Sequence, residues 1–174
     1  MNDIRWTIYE SPFGPLTLQR GSHGLTALSF PGRGGPLDED RRSPADFADV
    51  VAQMDEYFAG ERRTFDLPLD LHGTEFQRAV WAKLLAIPYG ETTTYGVLAR
   101  ALGRPDRARA VGAAVGRTPD AIIVPCHRVI GSDGSLTGYG GGLQRKATLL
   151  DLEARGVGGT APPASWSMRQ IAML

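Results

Sequence analysis

Cysteine and lysine are nearly missing from this chain. Its 174 residues include one cysteine, Cys126, and two lysines, Lys83 and Lys146. A lone cysteine excludes an intramolecular disulfide and any zinc site built on several thiolates, and it suits a reducing compartment. His23 and His72, with no cysteine in their half of the chain, cannot assemble a Cys/His metal site and read as surface histidines. No apolar run approaches the ~20 residues of a membrane span, and residues 1–20 lack the basic-then-apolar pattern of a signal peptide. The expectation is a soluble, cytoplasmic protein with no metal, no cofactor and no membrane contact.

Net charge is lacking too: 19 Lys plus Arg face 19 Asp plus Glu. The balance hides an asymmetry. Residues 1–72 carry seven Arg and twelve acids, a net of −5, while residues 73–155 carry eleven bases and seven acids, a net of +4. Halves of opposite charge hint at a polyanionic partner for the basic half. Six arginines (Arg100, Arg104, Arg107, Arg109, Arg117 and Arg128) fall in one segment against only Asp106 and Asp120. A guanidinium fork suits phosphate better than an ammonium does. The length fits one large domain or two small ones, and 42% hydrophobic content is enough to bury a core.

Residues 4–9 and 15–19 flank the turn cluster Ser11-Pro12-Phe13-Gly14-Pro15 and predict a hairpin, with Gly24 to Phe30 as a third strand. Ser43-Pro44 supplies an N-cap and an N1 proline to a helix in which Phe47, Val50, Val51, Met54 and Phe58 recur at helical spacing until Gly60. Thr64 to Leu71 alternates strictly, with Phe65, Leu67, Leu69 and Leu71 on one face, and predicts a half-buried strand. Residues 1–72 thus read as a small α+β domain, an antiparallel sheet with one helix, and nothing in it looks catalytic.

His72-Gly73 marks a boundary. A second domain is expected over 73–155, followed by a linker and short apolar tail over 156–174. Thr74-Glu75-Phe76-Gln77 is a capping box opening a helix that Pro88-Tyr89-Gly90 ends. Thr94 caps a short helix over 95–102, stopped by Gly103. Arg104-Pro105 turns, Asp106 caps, and residues 107–115 form the next helix. Two short helices about a glycine-containing turn make a helix-turn-helix unit. The second of them carries Ala108, Ala110, Gly112, Ala113, Ala114 and Gly116 and almost no side-chain bulk. Small residues serve close helix packing and entry into a narrow, degenerately read minor groove equally well. Gly131-Ser132-Asp133-Gly134 is a turn, and the glycine-rich run 136–142 lets backbone approach a ligand closely. A closing helix over 143–154 would present Leu143, Ala147, Leu150 and Ala154 on one face.

Cys126 sits in Ile122-Ile123-Val124-Pro125-Cys126-His127-Arg128-Val129-Ile130, an apolar run that reads as a buried, extended strand. In one reading Cys126 is a small core hydrophobe and His127 a satisfied neighbour. In the other, a thiol beside an imidazole and a guanidinium is a tuned nucleophile. Adjacent side chains on a strand face opposite ways, so a water or a bend must carry a proton between Cys126 and His127. A carboxylate behind the imidazole would fix its tautomer, and Glu153 on the closing helix is the best candidate. Such a relay is expected to lower the thiol pKa below its free value of about 8.5.

Taken together, Ile-Val-Pro-Cys-His-Arg-Val-Ile-Gly at 123–131, Arg-Ala-Val-Gly at 109–112, Thr-Gly-Tyr-Gly-Gly-Gly-Leu at 137–143 and Lys-x-x-Leu-Leu-x-x-Glu at 146–153 resemble the methylated-DNA–protein-cysteine methyltransferases. These alkylguanine-DNA alkyltransferases repair guanine alkylated on its exocyclic oxygen. The resemblance runs from about Gly73 to Glu153 and is weaker over the N-terminal region. It implies a ribonuclease H-like first domain and a mainly helical, winged-helix-like second domain that carries the helix-turn-helix and the active-site strand. It implies irreversible, single-turnover transfer of a methyl or alkyl group to Cys126 after base flipping, from alkylated guanine, with alkylated thymine as a further candidate substrate. His127 becomes the water-mediated base and Glu153 its orienting carboxylate. Tyr95 becomes the proton donor to the leaving guanine oxygen and also a DNA-binding residue that crowds the backbone. Arg109 becomes the side chain that fills the space of the flipped base, and Gly96, Arg104 and Ser132 touch the DNA strand. Tyr139, Thr118 and the backbone at Val129 and Gly140 line the base pocket. The implied partner is duplex DNA containing alkylated guanine, met by a monomer that could also bind cooperatively along the duplex.

One position departs from the resemblance: Thr118 precedes Pro119 where the family usually has asparagine. A hydroxyl offers one donor and an acceptor with shorter reach, so a retained but less rigid site is expected. Two other functions compete. A non-catalytic sensor of alkylated guanine is disfavoured by the presence of Cys126. A Cys/His thiol hydrolase is disfavoured by the adjacency of Cys126 and His127 and by the helix-turn-helix.

Overall fold

The computed structural model describes residues 3–158; the tail expected over 156–174 lies, from residue 159 on, outside the described residues. The chain is α+β and divides into two compact units. The first runs from the described N-terminus to His72 and takes in Pro119–Ile123; the second comprises Gly73–Thr118 and the chain from Val124 onward.

In the first unit, strands β1 (Arg5–Ser11), β2 (Gly14–Gly21) and β3 (Gly24–Ser29) form an antiparallel meander in that order. Alternation drives it: Leu16, Leu18, Leu25 and Leu28 are buried on the sheet, and helix α1 (Ala48–Phe58) covers them with Val50, Met54 and Tyr57. Pro44 opens a 3-10 turn, Pro44–Phe47, rather than the α-helix itself, and Ser43 makes no side-chain cap bond there. The segment expected as a strand over 64–71 is not one. It touches β3 at a single bridge, Leu25 to Leu69, held by Leu25 N–H to the Pro68 carbonyl and Asp70 N–H to the Leu25 carbonyl, both 2.8 Å. Farther along, the same edge of β3 is taken by the strap Pro119–Ile123. Leu28 N–H donates to the Pro119 carbonyl and Ala121 N–H to the Leu28 carbonyl, both 3.1 Å. The strap holds two local costs. Ile122 is buried at φ +72°, a left-handed conformation that β-branched residues rarely adopt. Asp120 is wholly buried, and neither carboxyl oxygen has a hydrogen-bond partner among the described residues.

The second unit begins where Gly73 passes close under Trp81; a Cβ there would stand 2.5 Å from the indole ring. Helix α2 (Glu75–Leu85) starts with the expected capping box, the Thr74 hydroxyl accepting from Gln77 N–H and the Gln77 amide oxygen from Thr74 N–H. Strand β4 (Thr93–Thr94) leads into α3 (Tyr95–Ala101), where the Thr94 hydroxyl accepts from Val97 N–H. Helix α4 covers Ala108–Gly116 and is capped at Arg107 without a side-chain bond, so Asp106 is not its cap. Trp81 Nε1–H donates to the Ala114 carbonyl at 2.9 Å and ties α2 to α4. The chain ends in α5 (Leu143–Gly156), two residues longer than expected. Its buried residues are Lys146, Leu149, Leu150 and Glu153 rather than the apolar face predicted from Leu143, Ala147 and Ala154. The buried stripe of α5 thus carries a charged residue at each end, Lys146 and Glu153.

Candidate active site

The active-site strand is corrected by the structure. Cys126–Arg128 is a single 3-10 turn, and only Val129–Ile130 is strand, β5. Pro125 explains the change, since its fixed φ and missing N–H cannot continue a ladder. The turn closes with Cys126 N–H on the Val124 carbonyl at 2.7 Å and Arg128 N–H on the Pro125 carbonyl at 3.0 Å. Strand β5 then pairs in parallel with β4, Thr93 opposite Val129 and Thr94 opposite Ile130. That pairing places Tyr95, the next residue after β4, beside the cysteine turn.

His127 and Glu153 are both fully buried and joined by a 2.7 Å hydrogen bond from imidazole Nε2 to Oε1. Glu153 collects further donors. Arg128 forks onto it, Nε to Oε2 at 2.8 Å and an Nη2 bond to Oε1 at 2.9 Å, and Gly90 N–H approaches Oε2 at 3.4 Å. The rest of the Arg128 guanidinium donates to the Ile87 carbonyl at 2.6 Å and lies over the Tyr89 ring. Burial alone would push the Glu153 carboxyl up; His127 and Arg128 outweigh it and hold the group well below the usual carboxylate range. Burial first, with the Arg128 and Lys146 charges, pulls the His127 imidazole down against the attraction of Glu153. The lowered imidazole is neutral near pH 7 and acts on Glu153 through its hydrogen bond, while the Arg128 fork sets a full positive charge against the carboxylate. The second ring nitrogen, Nδ1, is buried with no hydrogen-bond partner among the described residues.

The thiol contradicts the expectation of an acidic cysteine. Cys126 is 6% exposed, and burial pushes its pKa up to about 11. The Lys146 charge, the Thr118 hydroxyl and the backbone N–H groups of Cys126 and His127 oppose this only in part. Adjacency to a histidine lowers a thiol pKa only when the histidine is charged and in contact. Here it is neutral and turned toward Glu153, so the resting group is a neutral thiol.

Lys146 was missed by sequence reading. It is fully buried, with Nζ donating to the Val129 carbonyl at 2.5 Å and the Thr137 carbonyl at 2.8 Å. Burial lowers its pKa to about 8. The ammonium stitches the cysteine turn to the loop before α5 and sets a positive charge near the sulfur. The available signal was its spacing, Lys146, Leu149, Leu150 and Glu153 falling at i, i+3, i+4 and i+7.

Of the other predicted site residues, the structure gathers four around Cys126. The Tyr95 hydroxyl donates to the Thr137 carbonyl at 3.3 Å, and burial raises its pKa. The Tyr139 hydroxyl lies buried beside the sulfur. The Thr118 hydroxyl donates to the Val115 carbonyl at 2.7 Å and also reaches Cys126. The Val129 carbonyl is the one held by Lys146. Arg104, Arg109, Ser132 and Gly140 stand on the surface, and Gly96 is half-buried in the first turn of α3. Within 136–142 only Gly138 and Gly142 have positive φ, +45° and +92°, so glycine is required for the backbone path at those two positions.

The small residues of α4 separate by face. Val111, Ala114 and Val115 are buried, and Gly112 packs on the Tyr95 ring, its Cβ position 3.6 Å away. Arg109, Ala113, Gly116 and Arg117 are exposed, a low ridge at i, i+4, i+7 and i+8 with an arginine at either end. The small residues of α4 therefore serve close packing on its buried side and leave little side-chain bulk on its exposed side.

Comparison with known proteins gives a consistent result. A family described as the DNA binding domain of 6-O-methylguanine DNA methyltransferase matches residues 75–155, and the ribonuclease-like domain of the same enzyme matches residues 4–71. A methylated-DNA–protein-cysteine methyltransferase of Mycobacterium leprae is 55% identical over 83% of this chain and 88% of its own length. One from Methanosarcina acetivorans is 48% identical over 85% and 97%. Among solved structures, the Mycobacterium tuberculosis O6-methylguanine methyltransferase superposes with a TM-score of 0.79 at 48% identity, covering 92% of this chain and 96% of that one. The same organism's protein in complex with DNA gives 0.80 at 51% identity, covering 88% and 93%.

Proposed function

Because this chain belongs to the methylated-DNA–protein-cysteine methyltransferase family, we propose that it repairs alkylated DNA by moving the alkyl group from the O6 atom of guanine onto the sulfur of Cys126, once per molecule. The observation that carries the assignment to these residues is the buried chain Arg128, Glu153, His127 ending at the only cysteine.

The thiol proton leaves toward His127 Nδ1 through a bridging water, since no hydrogen bond links the two side chains among the described residues. The sulfur attacks the alkyl carbon, the S–C bond forms as the C–O bond breaks, and the electron pair of that bond returns to the guanine ring system. Tyr95, near enough for the Cys126 charge to act on it, supplies a proton to the leaving base, and the proton gathered by His127 restores the phenol. The balance is one thioether and one unmodified guanine. At a thiol pKa of about 11, holding free thiolate at pH 7.4 would cost about 5 kcal/mol. Proton transfer coupled to attack avoids most of that cost, and this is the work assigned to His127 as a general base.

The target base must leave the duplex to reach a sulfur this buried, and extrusion costs a few kcal/mol. The α3–turn–α4 unit serves as the helix-turn-helix. The low outer ridge of α4 fits a narrow minor groove, Arg109 enters the stack behind the flipped base, and Arg104, Gly96 and Ser132 meet the strand. The base is received by Tyr139, Thr118 and the backbone of Val129 and Gly140. The protein acts as a monomer in the cytoplasm, where reducing conditions preserve the thiol.

Intact-mass measurement after mixing with duplex DNA containing O6-methylguanine tests the reading. The expected result is a gain of one CH2 unit, stoichiometric, without turnover, and absent in Cys126→Ser. Tight binding with no mass gain, or turnover of an ester or amide, would refute it. The same assay with O4-methylthymine decides whether the pocket takes that base.

A further inference from the structure

The geometry points to Arg128 as a positioning residue that selects which nitrogen of His127 is the base, an inference that rests on the transfer reaction proposed above. The argument is one of proton count. The Glu153 carboxylate receives His127 Nε2 at 2.7 Å, two bonds from the Arg128 fork at 2.8 and 2.9 Å, and Gly90 N–H at 3.4 Å. Among the described residues the Arg128 fork and Gly90 N–H donate to Glu153, and an ionised carboxylate, with about four lone pairs, can accept from His127 Nε2 as well. An ionised Glu153 facing a neutral imidazole leaves one assignment: the ring proton sits on Nε2 and is donated to Oε1. Nδ1 then carries a bare lone pair, the only form in which it can accept the thiol proton.

That assignment survives because the buried charges cancel. Arg128 is 6% exposed and Glu153 is not exposed at all; as a bidentate pair they are neutral together. Without Arg128, an isolated carboxylate in this interior would recruit one further proton, since burying an unpaired charge costs several kcal/mol. That proton can lie on Glu153, which then donates to Nε2 and forces the ring proton onto Nδ1. It can equally lie on the imidazole, making an imidazolium paired with Glu153. In both arrangements Nδ1 carries hydrogen and cannot act as a base. Arg128 thus withholds one proton from the His127–Glu153 pair.

The other charged groups around His127 do not replace it. Lys146 on α5 acts on the imidazole in the same direction as Arg128, but its Nζ is bound to the Val129 and Thr137 carbonyls rather than to Glu153. Cys126, the chain neighbour, is a neutral thiol at rest. Arg128 is therefore distinct from a general structural ion pair, because its loss alters a protonation state and not stability alone.

The test is 15N NMR of histidine-labelled protein without DNA, read beside the alkyl-transfer rate against pH. His127 is assigned with His127→Gln, since His23 and His72 are the only other histidines. In the wild type at pH 7, Nδ1 is expected to be unprotonated and Nε2 protonated. In Arg128→Met, Nδ1 becomes protonated at pH 7, and the transfer rate falls about 10²-fold or more, the usual contribution of a general base. The rate recovers as rising pH strips the extra proton. Arg128→Lys, which keeps the charge without the fork, holds Nδ1 free and retains more of the rate. A proton on Nδ1 in the wild type overturns the inference, and that reading needs no variant to fold. An unprotonated Nδ1 in folded Arg128→Met, or a rate lowered equally at every pH, also overturns it. The expected tautomers in a wild type that never methylates Cys126 would instead count against the proposed reaction and leave the role of Arg128 standing.

Discussion

Replacing Asp120 by asparagine should stabilise the protein, by an amount that depends on pH in a calculable way. The Asp120 side chain is fully buried, its oxygens have no hydrogen-bond partner among the described residues, and burial pushes its pKa up to about 8. In the unfolded chain an aspartate has a pKa of about 3.9. Between those two values the unfolded state has released a proton that the folded state still holds, so stability falls as pH rises through the window. At pH 7 the accumulated loss is about 4 kcal/mol, roughly three pH units at 1.36 kcal/mol each; below pH 4 it vanishes. Asp120→Asn keeps the size and polarity of the side chain but cannot ionise. In a chain of this length 1 kcal/mol moves Tm by about 2–4 °C, so the variant should melt about 10 °C higher at pH 7 and at nearly the wild-type temperature at pH 4. Thermal melts of both proteins from pH 4 to 8 give the comparison. Parallel Tm-against-pH curves for the two proteins would refute the reasoning, because they would mean that Asp120 has a partner or reaches water.

Three further outcomes are expected. Glu153→Gln leaves the Arg128 charge buried without its counter-ion and should cost about 3–5 kcal/mol, while the double variant Arg128→Met/Glu153→Leu should lose less than Glu153→Gln alone; denaturant titration of all three decides. Since folding lowers the Glu153 pKa, the stability it contributes is present above the ordinary carboxylate range and is lost as pH falls through the folded value. The Cys126 thiol, buried and raised to about 11, should react with iodoacetamide at pH 7.5 at least about 10²-fold more slowly than a free cysteine, accelerating as pH climbs; labelling as fast as in a short peptide would contradict the burial. Thr118→Val removes the bond to the Val115 carbonyl and should lower stability by about 1 kcal/mol, whereas Thr118→Asn should change both Tm and transfer rate, and no change in either would show that this position does not set the rigidity of the site.

Features written in local chemistry were legible in the sequence. The hairpin of β1 and β2, the Thr74–Gln77 capping box and the Thr94 cap each depend on residues within a few positions, and each is present. The pairing of His127 with Glu153 was legible from the need for a carboxylate behind the imidazole and from the family resemblance, and the hydrogen bond at 2.7 Å is there. What the sequence concealed depended on the interior. The run 122–130 has the composition of a strand, yet Pro125 breaks the ladder and the cysteine lies on a turn. Residues 64–71 alternate like a strand, but they share the edge of β3 with the strap at 119–121 and gain only one bridge. Nothing in its residue type announced that Lys146 is buried, because charge ordinarily marks the surface; only the Val129 and Thr137 carbonyls that accept from it make the burial tolerable. The direction of the thiol pKa was misjudged for the same reason, since proximity in sequence says nothing about dielectric.

The closed setting of Cys126 has a bearing on how long a molecule of this protein stays useful. In the reaction proposed above the acceptor would end as a thioether with no route back, so each chain would offer a single event, and an encounter with the wrong electrophile would remove it permanently. Small alkylating agents and peroxides react with thiolates at exposed sites. A neutral sulfur at 6% exposure presents little to either. The same burial that slows the chemistry at rest therefore sets the shelf life of the unused protein, and it ties reactivity to the arrival of a base that can be brought to the sulfur.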